Sequence, residues 1–139
     1  MKSKATTTGG IELRRIDETA EKCRLVRASV PTHLKIEILK IFDADIQYGH
    51  ITLKDVYVYL VACALDMIDT QKVSLQELQE RKSLPIASGK EANISVPLAL
   101  SVKIDEVKDM LGINKKQAFI ALLDAGIKNK IHAAEMVHG

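Results

Sequence analysis

Histidine, cysteine and carboxylate side chains are the groups in this sequence that could bind a metal or take part in catalysis. The histidines are His33, His50, His132 and His138, and the cysteines are Cys23 and Cys63. None of these residues recurs at the short spacing of a metal-ligand set. Asp105, Glu106 and Asp109 have the spacing of a solvated helix face, and no glycine-rich phosphate loop is present. The residues therefore predict a protein that is not an enzyme and that uses no cofactor or metal.

Basic side chains form a second group with possible chemistry, because they could contact phosphate. They concentrate near the beginning of the chain, at Arg14, Arg15, Lys22 and Arg24. We expect residues 1–10 to be disordered, residues 11–22 to include a short helix, and residues 1–23 together to form a flexible basic arm. This arm is either a solvated leader or a phosphate-contacting segment. The net charge of +2 does not by itself indicate a nucleic-acid partner.

The composition limits the size and class of the protein. The chain has 139 residues, of which 47% are hydrophobic, enough for one domain or two very small ones. No apolar run reaches the roughly 18 residues of a membrane-spanning helix, and residues 1–10 contain no apolar segment typical of a signal peptide. We therefore expect a cytoplasmic protein without a membrane partner.

The stretch over residues 92–130 has the pattern of a strand, a helix, a turn and a second helix. Alternating apolar residues end at a proline, in the order Ala92, Ile94, Val96 and Pro97. One helical face follows at Leu100, Ile104, Val107 and Leu111. Gly112 is expected to end this helix, and Asn114 to cap the next one, which is apolar on nearly every side over residues 118–127.

The same pattern occurs earlier in the chain, which indicates a duplication. Its alternating residues and proline are Val26, Ala28, Val30 and Pro31. The helices that follow agree in their apolar positions, and the caps Thr52 and Asn114 align the second helices. Thr52 with Asp55 also makes a start that resembles a capping box. The cap of the second helix lies 21 positions after the proline in the first copy and 17 positions after it in the second copy. We assign the insertion to a longer turn within Asp43–His50.

Between the copies the sequence predicts a linker with one short helix. Ser74 followed by Glu77 is typical of a helix start, Leu75 and Leu78 could dock the helix, and the helix should end near Lys82. The predicted organisation is an arm over residues 1–23, a first copy over 24–69, a linker over 70–90, and a second copy with a helical tail over 91–139.

A single copy of about 40 residues is too small to bury a sufficient core alone. Its strand would leave backbone groups unpaired, and its second helix would expose apolar surface. Both problems disappear if the two strands pair in antiparallel and the two apolar helices pack beneath them. We therefore expect a mainly α fold with a short two-stranded antiparallel ribbon, in which the copies form an intramolecular pseudo-dimer.

A strand ending in Val-Pro, a helix with Leu at +3 and Ile at +7, and then GINKKQAFIALLDAGI resemble the ribbon-helix-helix family, the Arc and MetJ type. The resemblance covers residues 25–69 and 91–130 and is more specific in the second copy. Proteins of this type place strands in a DNA groove. Two copies on one chain are similar to the tandem accessory proteins of plasmid-transfer relaxosomes. The resemblance implies a sequence-specific binder of double-stranded DNA that acts as a transcriptional regulator, such as a repressor, or as a conjugative-transfer accessory factor.

The resemblance also implies which residues read bases in the major groove. They lie two, four and six positions before each proline, namely Ser29, Arg27 and Leu25, and Ser95, Asn93 and Glu91. Arginine suits guanine, asparagine suits adenine, and serine can serve either. Leu25 could contact a thymine methyl group, whereas Glu91 could accept from cytosine or lie outside the strand and repel phosphate. The residues expected to read bases are Arg27, Ser29, Asn93 and Ser95.

Phosphate contacts are expected at the N-termini of the two apolar helices, where free N–H groups and the helix dipole favour an anion. The residues expected there are Thr52, Lys54, Asn114, Lys115 and Lys116. Two lysines in a first helical turn oppose the helix dipole, at a cost of a few tenths of a kcal/mol unless an anion is present. Lys115 and Lys116 are therefore the stronger candidates.

Two other functions fit the same fold. The first is a protein-interaction or assembly module, which the first copy favours because residues 28–69 contain three lysines and six acidic residues. The second is an antitoxin-type repressor, for which the tail after Lys130 is short, although residues 1–24 could replace it. Expected partners are thus double-stranded DNA and other subunits of a nucleoprotein complex, with self-association of pseudo-dimers also open.

Overall fold

Helices make up most of the structure and are joined to a short antiparallel ribbon. The structure, a computed structural model, describes residues 7–8, 11–49, 51–69, 75–81 and 91–138. The elements in chain order are β1 (Thr7–Thr8), β2 (Ile11–Glu12), β3 (Cys23–Ala28), α1 (Thr32–Tyr48), α2 (Leu53–Asp69), α3 (Leu75–Arg81), β4 (Ala92–Pro97), α4 (Leu98–Leu111) and α5 (Lys115–His138). The prediction of a mainly helical protein with a short two-stranded antiparallel ribbon is confirmed.

The ribbon consists of β3 and β4. Its paired residues are Cys23 with Pro97, Arg24 with Val96, Leu25 with Ser95, Val26 with Ile94, Arg27 with Asn93, and Ala28 with Ala92. The pairing continues at one end, where the N–H of Leu98 donates to the carbonyl of Lys22 over 3.0 Å. At the other end β3 stops at Ala28, so this strand does not reach Pro31 as β4 reaches Pro97. The helices α1 and α4 begin directly after these two prolines.

The predicted caps of α2 and α5 are confirmed. Thr52 Oγ1 accepts from the N–H of Asp55 over 3.2 Å, and the Asp55 carboxylate accepts from the N–H of Thr52 over 2.8 Å. Asn114 and Gln117 make the same reciprocal pair at 2.8 and 3.2 Å. Gly112 ends α4 in the left-handed region, with φ of 67°. These bonds join residues at most three positions apart, so they depend on local sequence alone.

The insertion in the first copy lies mainly in a helix, so the expected longer turn within Asp43–His50 is wrong. Helix α1 runs for 17 residues and ends at Tyr48, whereas α4 runs for 14. The segments between the helices are 49–52 and 112–114, which differ by only one residue. The extra residues form another helical turn because Phe42 extends the buried side of α1, and its ring lies 6.0 Å from that of Tyr59 on α2.

The core lies where α2 packs against α5 below the ribbon. Residues 55–65 of α2 and 118–127 of α5 are all buried, as expected for helices that are apolar on nearly every side. The closest approach is at Gly126, where an added Cβ atom would lie 2.4 Å from the carbonyl oxygen of Leu60. Leu60 and Leu122 are both fully buried. A glycine at this point of α5 lets the two helix backbones come close together.

The segment before the ribbon has no helix among its described residues, so the short helix expected within residues 11–22 is wrong. Strands β1 and β2 form a small antiparallel hairpin, and a turn follows in which the Asp17 carboxylate accepts from the N–H and hydroxyl of Thr19. The N–H of Ile16 donates to the Asp55 carboxylate on α2 over 3.1 Å, and Leu13 is buried. These contacts hold residues 13–16 against α2 instead of in a helix. Most of residues 1–10, expected to be disordered, lie outside the described residues.

Helix α3 confirms the short helix expected between the two copies. Leu78 is fully buried, and α3 packs against α5 and α4. The proposed start at Ser74 and end near Lys82 lie just outside the described residues. Among the described residues, no helix combines the length and apolar character that a membrane crossing requires.

Candidate nucleic-acid interface

One face of the ribbon points away from the core and carries polar side chains. Residues paired across an antiparallel ribbon lie on the same face, which places Arg27 with Asn93 and Leu25 with Ser95. Arg27 and Asn93 are exposed, Ser95 is half-buried, and Leu25 is 63% exposed. The intervening residues form the buried face, at Val26, Ala28, Ile94 and Val96. The sequence prediction that Arg27, Asn93 and Ser95 face outward is therefore confirmed.

Ser29 does not belong to this exposed face. It lies one residue beyond the end of β3 and is only 7% exposed. Val30 and Pro31, which lead into α1, are buried as well. The expectation that Ser29 lies beside Arg27 on the outer face is wrong, because the chain has already left the ribbon at this point.

Glu91 lies immediately before β4 and brings negative charge to the edge of the exposed face. Its carboxylate accepts a hydrogen bond from the ammonium group of Lys116 in the first turn of α5. This hydrogen bond, together with the positive charges of Lys116 and Arg27, lowers the pKa of Glu91. The carboxylate is therefore ionised at neutral pH and neutralises part of the positive charge near the ribbon.

Lys115 is also held by groups of its own chain. Its ammonium group donates to Ser101 Oγ over 2.6 Å and lies 3.1 Å from an oxygen of Asp105, both on α4. Ser101 is fully buried, so this bond links the start of α5 to the interior side of α4. The structure thus gives Lys115 and Lys116, two of the three lysines expected to contact phosphate, partners within the chain. Ser101 lies 14 residues before Lys115, so this contact depends on how α4 packs against α5 and has no local sequence signal.

The N-terminus of α2 is arranged differently. Asp55 is 6% exposed, and its two carboxylate oxygens accept from the N–H groups of Thr52 and Ile16. A carboxylate near the positive end of a helix is favourable, so Asp55 already occupies part of the place where an anion would bind. Thr52 and Lys54 are exposed beside it. The second role of Asp55, holding the segment before the ribbon, was not evident from the sequence because Ile16 is 39 residues away.

A cleft of about 420 Å³ lies beside the α2 N-terminus, next to the Ala28–Ala92 end of the ribbon. Its lining is mainly apolar with lysines at the rim, and includes the described residues Ala28, Val30, Lys35, Thr52, Leu53, Lys54, Tyr57 and Ala92. Tyr57 is 2% exposed, and this burial raises the pKa of its hydroxyl to about 12. The described part of the chain contains no group of three or more His, Cys, Asp or Glu side chains that could hold a metal ion.

The site therefore combines an exposed polar ribbon face with two capped helix N-termini, three lysines and the carboxylates of Glu91, Asp105 and Asp55. We compared the chain with models of known protein families, with curated proteins and with solved structures, and none of the three comparisons finds a match.

Proposed function

We propose that the chain binds double-stranded DNA sequence-specifically as a tandem ribbon-helix-helix pseudo-dimer, with the β3–β4 ribbon in the major groove. Its role would be that of a transcriptional regulator or an accessory factor of a DNA-transfer complex. The observation that carries the proposal is the outward face of the ribbon, where Arg27 lies opposite Asn93 and beside Ser95. A two-stranded ribbon fits a major groove about 12 Å wide, and these side chains match the donor and acceptor pattern of base edges there.

The pairing register supports the pseudo-dimer part of the proposal. In a two-fold symmetric antiparallel ribbon, the residue on the axis lies opposite its own equivalent. Arg27 and Asn93 each stand four residues before a proline in their copies, and they are paired with each other. The packing of α2 against α5, the second helices of the two copies, agrees with the same axis.

The two strands carry unlike side chains, so the preferred DNA site is asymmetric. Arg27 favours a guanine in one half of the site, and Asn93 favours an adenine in the other. Leu25 is positioned on the same face for contact with a thymine methyl group. A homodimer with identical strands would prefer a palindrome instead.

Phosphate binding would require the lysines to exchange partners. Lys116 is paired with Glu91, and Lys115 with Ser101 and Asp105, so a DNA phosphate must share or displace these groups. The Lys116 and Glu91 side chains are 36% and 32% exposed, so solvent already weakens their attraction. A DNA phosphate can therefore compete for Lys116. Lys54 lies exposed at the other helix N-terminus and has no acidic partner among the described residues, so it needs no such exchange.

An interaction module remains the second candidate, because α1 and α4 expose apolar side chains on their outer surfaces. The exposed large hydrophobic residues of these helices are Ile36, Leu39, Tyr48, Leu98, Val102 and Met110. A protein partner would cover this surface, whereas DNA bound at the ribbon would leave it open. The internal pairing of Lys115 and Lys116 also favours a partner other than DNA.

Selection of binding sites from a random duplex library tests the DNA proposal. We expect an asymmetric winning site, and Arg27→Ala should cost about 1–3 kcal/mol of binding free energy and relax preference in one half of the site only. Lys54→Ala is the matched control, because loss of a phosphate contact weakens binding to all sequences and reduces the salt dependence. A palindromic winner, or an Arg27→Ala protein with unchanged affinity and preference, would show that the ribbon does not read DNA.

A further inference from the structure

We propose that the cleft between the ribbon end and the N-termini of α1 and α2 binds a small organic anion with an apolar body. Its volume of about 420 Å³ lies within the range of about 300–1,000 Å³ that is usual for small-molecule sites. Among the described residues, the lining contains two lysines, two hydroxyl groups and four apolar side chains, and no acidic residue. This combination suits a carboxylate on an aliphatic or aromatic group.

The hydroxyl of Tyr57 is an unused hydrogen-bonding group in this cleft. The tyrosine side chain is 2% exposed and lines the cleft, and among the described residues its hydroxyl has no hydrogen-bond partner. No fully buried side-chain nitrogen or oxygen of the described residues lacks a partner, so this hydroxyl must reach the cleft surface. At the cleft surface the hydroxyl is therefore available as a donor to a ligand that enters the cleft.

The negative end of the ligand would lie near Lys35 and Lys54. Both lysines are exposed at the rim, on the first turns of α1 and α2 respectively. The nearby Asp55 carboxylate does not line the cleft and is already bonded to the N–H groups of Thr52 and Ile16. The anion would therefore be held by ammonium groups and hydroxyls, with its apolar body against Val30 and Leu53.

A comparison of the two copies shows why the cleft is open here. Ala28 and Ala92 line it, whereas the equivalent places in the repeat carry the larger Ile94 and Val26. The remaining differences at equivalent places are Lys35 against Ser101, Thr52 against Asn114, Leu53 against Lys115, and Tyr57 against Phe119. In the second copy the ammonium group of Lys115 donates a hydrogen bond of 2.6 Å to Ser101. The room, the positive charge and the free hydroxyl thus occur together in the first copy.

Titration of the full chain with benzoate tests the proposal. The chain has three tyrosines, so selective ¹³C labelling of their rings yields few resonances for nuclear magnetic resonance spectroscopy. We expect benzoate to shift the Tyr57 resonance saturably, while the 74% exposed Tyr48 serves as an internal control. Neutral benzamide should bind more weakly, and inorganic phosphate, which has no apolar body, should leave Tyr57 unshifted. The samples contain no DNA, so the result is independent of DNA binding.

Two variants test whether benzoate binds in this cleft, and both retain Tyr57 so that its resonance can still be followed. Ala92→Val introduces the residue found at the equivalent place in β3 and should abolish the benzoate shift by filling the cleft. Lys35→Ser introduces the residue found in α4 and should weaken binding about threefold to tenfold through loss of one charged partner. Unchanged Tyr48 and Tyr59 resonances would show that either variant is folded. Absence of a saturable Tyr57 shift, equal binding of phosphate or benzamide, or undiminished binding by folded Lys35→Ser would overturn the proposal.

Discussion

Replacing Gly126 by alanine tests the close packing of α2 against α5, on which the whole core depends. The added Cβ atom would lie 2.4 Å from the carbonyl oxygen of Leu60 and 3.0 Å from its carbonyl carbon, whereas ordinary contact begins at 3.4 Å. Two of the three nearest atoms belong to the α2 backbone, so rotation of a side chain cannot relieve the contact. The helices must therefore move apart by about 1 Å at this point, a gap that forfeits roughly a quarter to a half of the dispersion attraction between facing atoms.

Two effects of this substitution have opposite signs, so its outcome is decisive. Alanine in place of glycine favours an isolated helix by about 1 kcal/mol. Overpacking of a core usually costs about 1–3 kcal/mol, and the rigid backbone contact at Leu60 places Gly126→Ala at the upper end of that range or beyond. We expect a net loss of about 2 kcal/mol in the free energy of unfolding, with a Tm lower by about 8 °C.

Urea unfolding followed by far-ultraviolet circular dichroism would measure this change. Ala44→Gly on the exposed side of α1 is the matched control, because it changes helix propensity alone and should cost about 1 kcal/mol. If Gly126→Ala raised the free energy of unfolding, helix propensity would dominate. The close approach of α2 to α5 would then be absent.

Three further changes test the core, the ribbon edge and the cleft. Leu122→Asp should abolish the cooperative thermal transition, because it places an unpaired charge at a fully buried position. A thermal transition near that of the parent protein would show that α5 is placed wrongly. Glu91→Gln should free Lys116 for phosphate, so the DNA affinity should rise and the slope of its salt dependence should increase by up to about 1. Glu106→Gln on the exposed side of α4 is the control and should have a smaller effect. Equal effects of the two substitutions would argue against a specific role for Glu91. Because burial raises the pKa of Tyr57 from 10.0 to about 12, the folded chain keeps a proton that the unfolded chain loses. The free energy of unfolding should thus fall as pH rises between these values, and the same fall in Tyr57→Phe would contradict the assignment.

Local patterns predicted the starts of α2 and α5 and the end of α4 correctly, and their physical basis explains why. The reciprocal hydrogen bonds of Thr52 with Asp55 and of Asn114 with Gln117 join residues three positions apart. Gly112 adopts a left-handed backbone conformation, which glycine accepts without a steric cost. The longer turn was predicted wrongly, because the added residues of α1 remain helical through contact of Phe42 with α2. That contact depends on a distant element and leaves no local signal.

The sequence by itself determined the alternation that separates the two ribbon faces and the all-round apolar character of α2 and α5. Both properties follow from periodicity, since side chains alternate along a strand and an apolar helix must be covered. Only the tertiary structure decided which residues are available for function. It buries Ser29 past the end of β3, holds Ile16 on Asp55, and pairs Lys116 with Glu91. These outcomes arise between residues that are distant along the chain, where burial and charge depend on which elements meet.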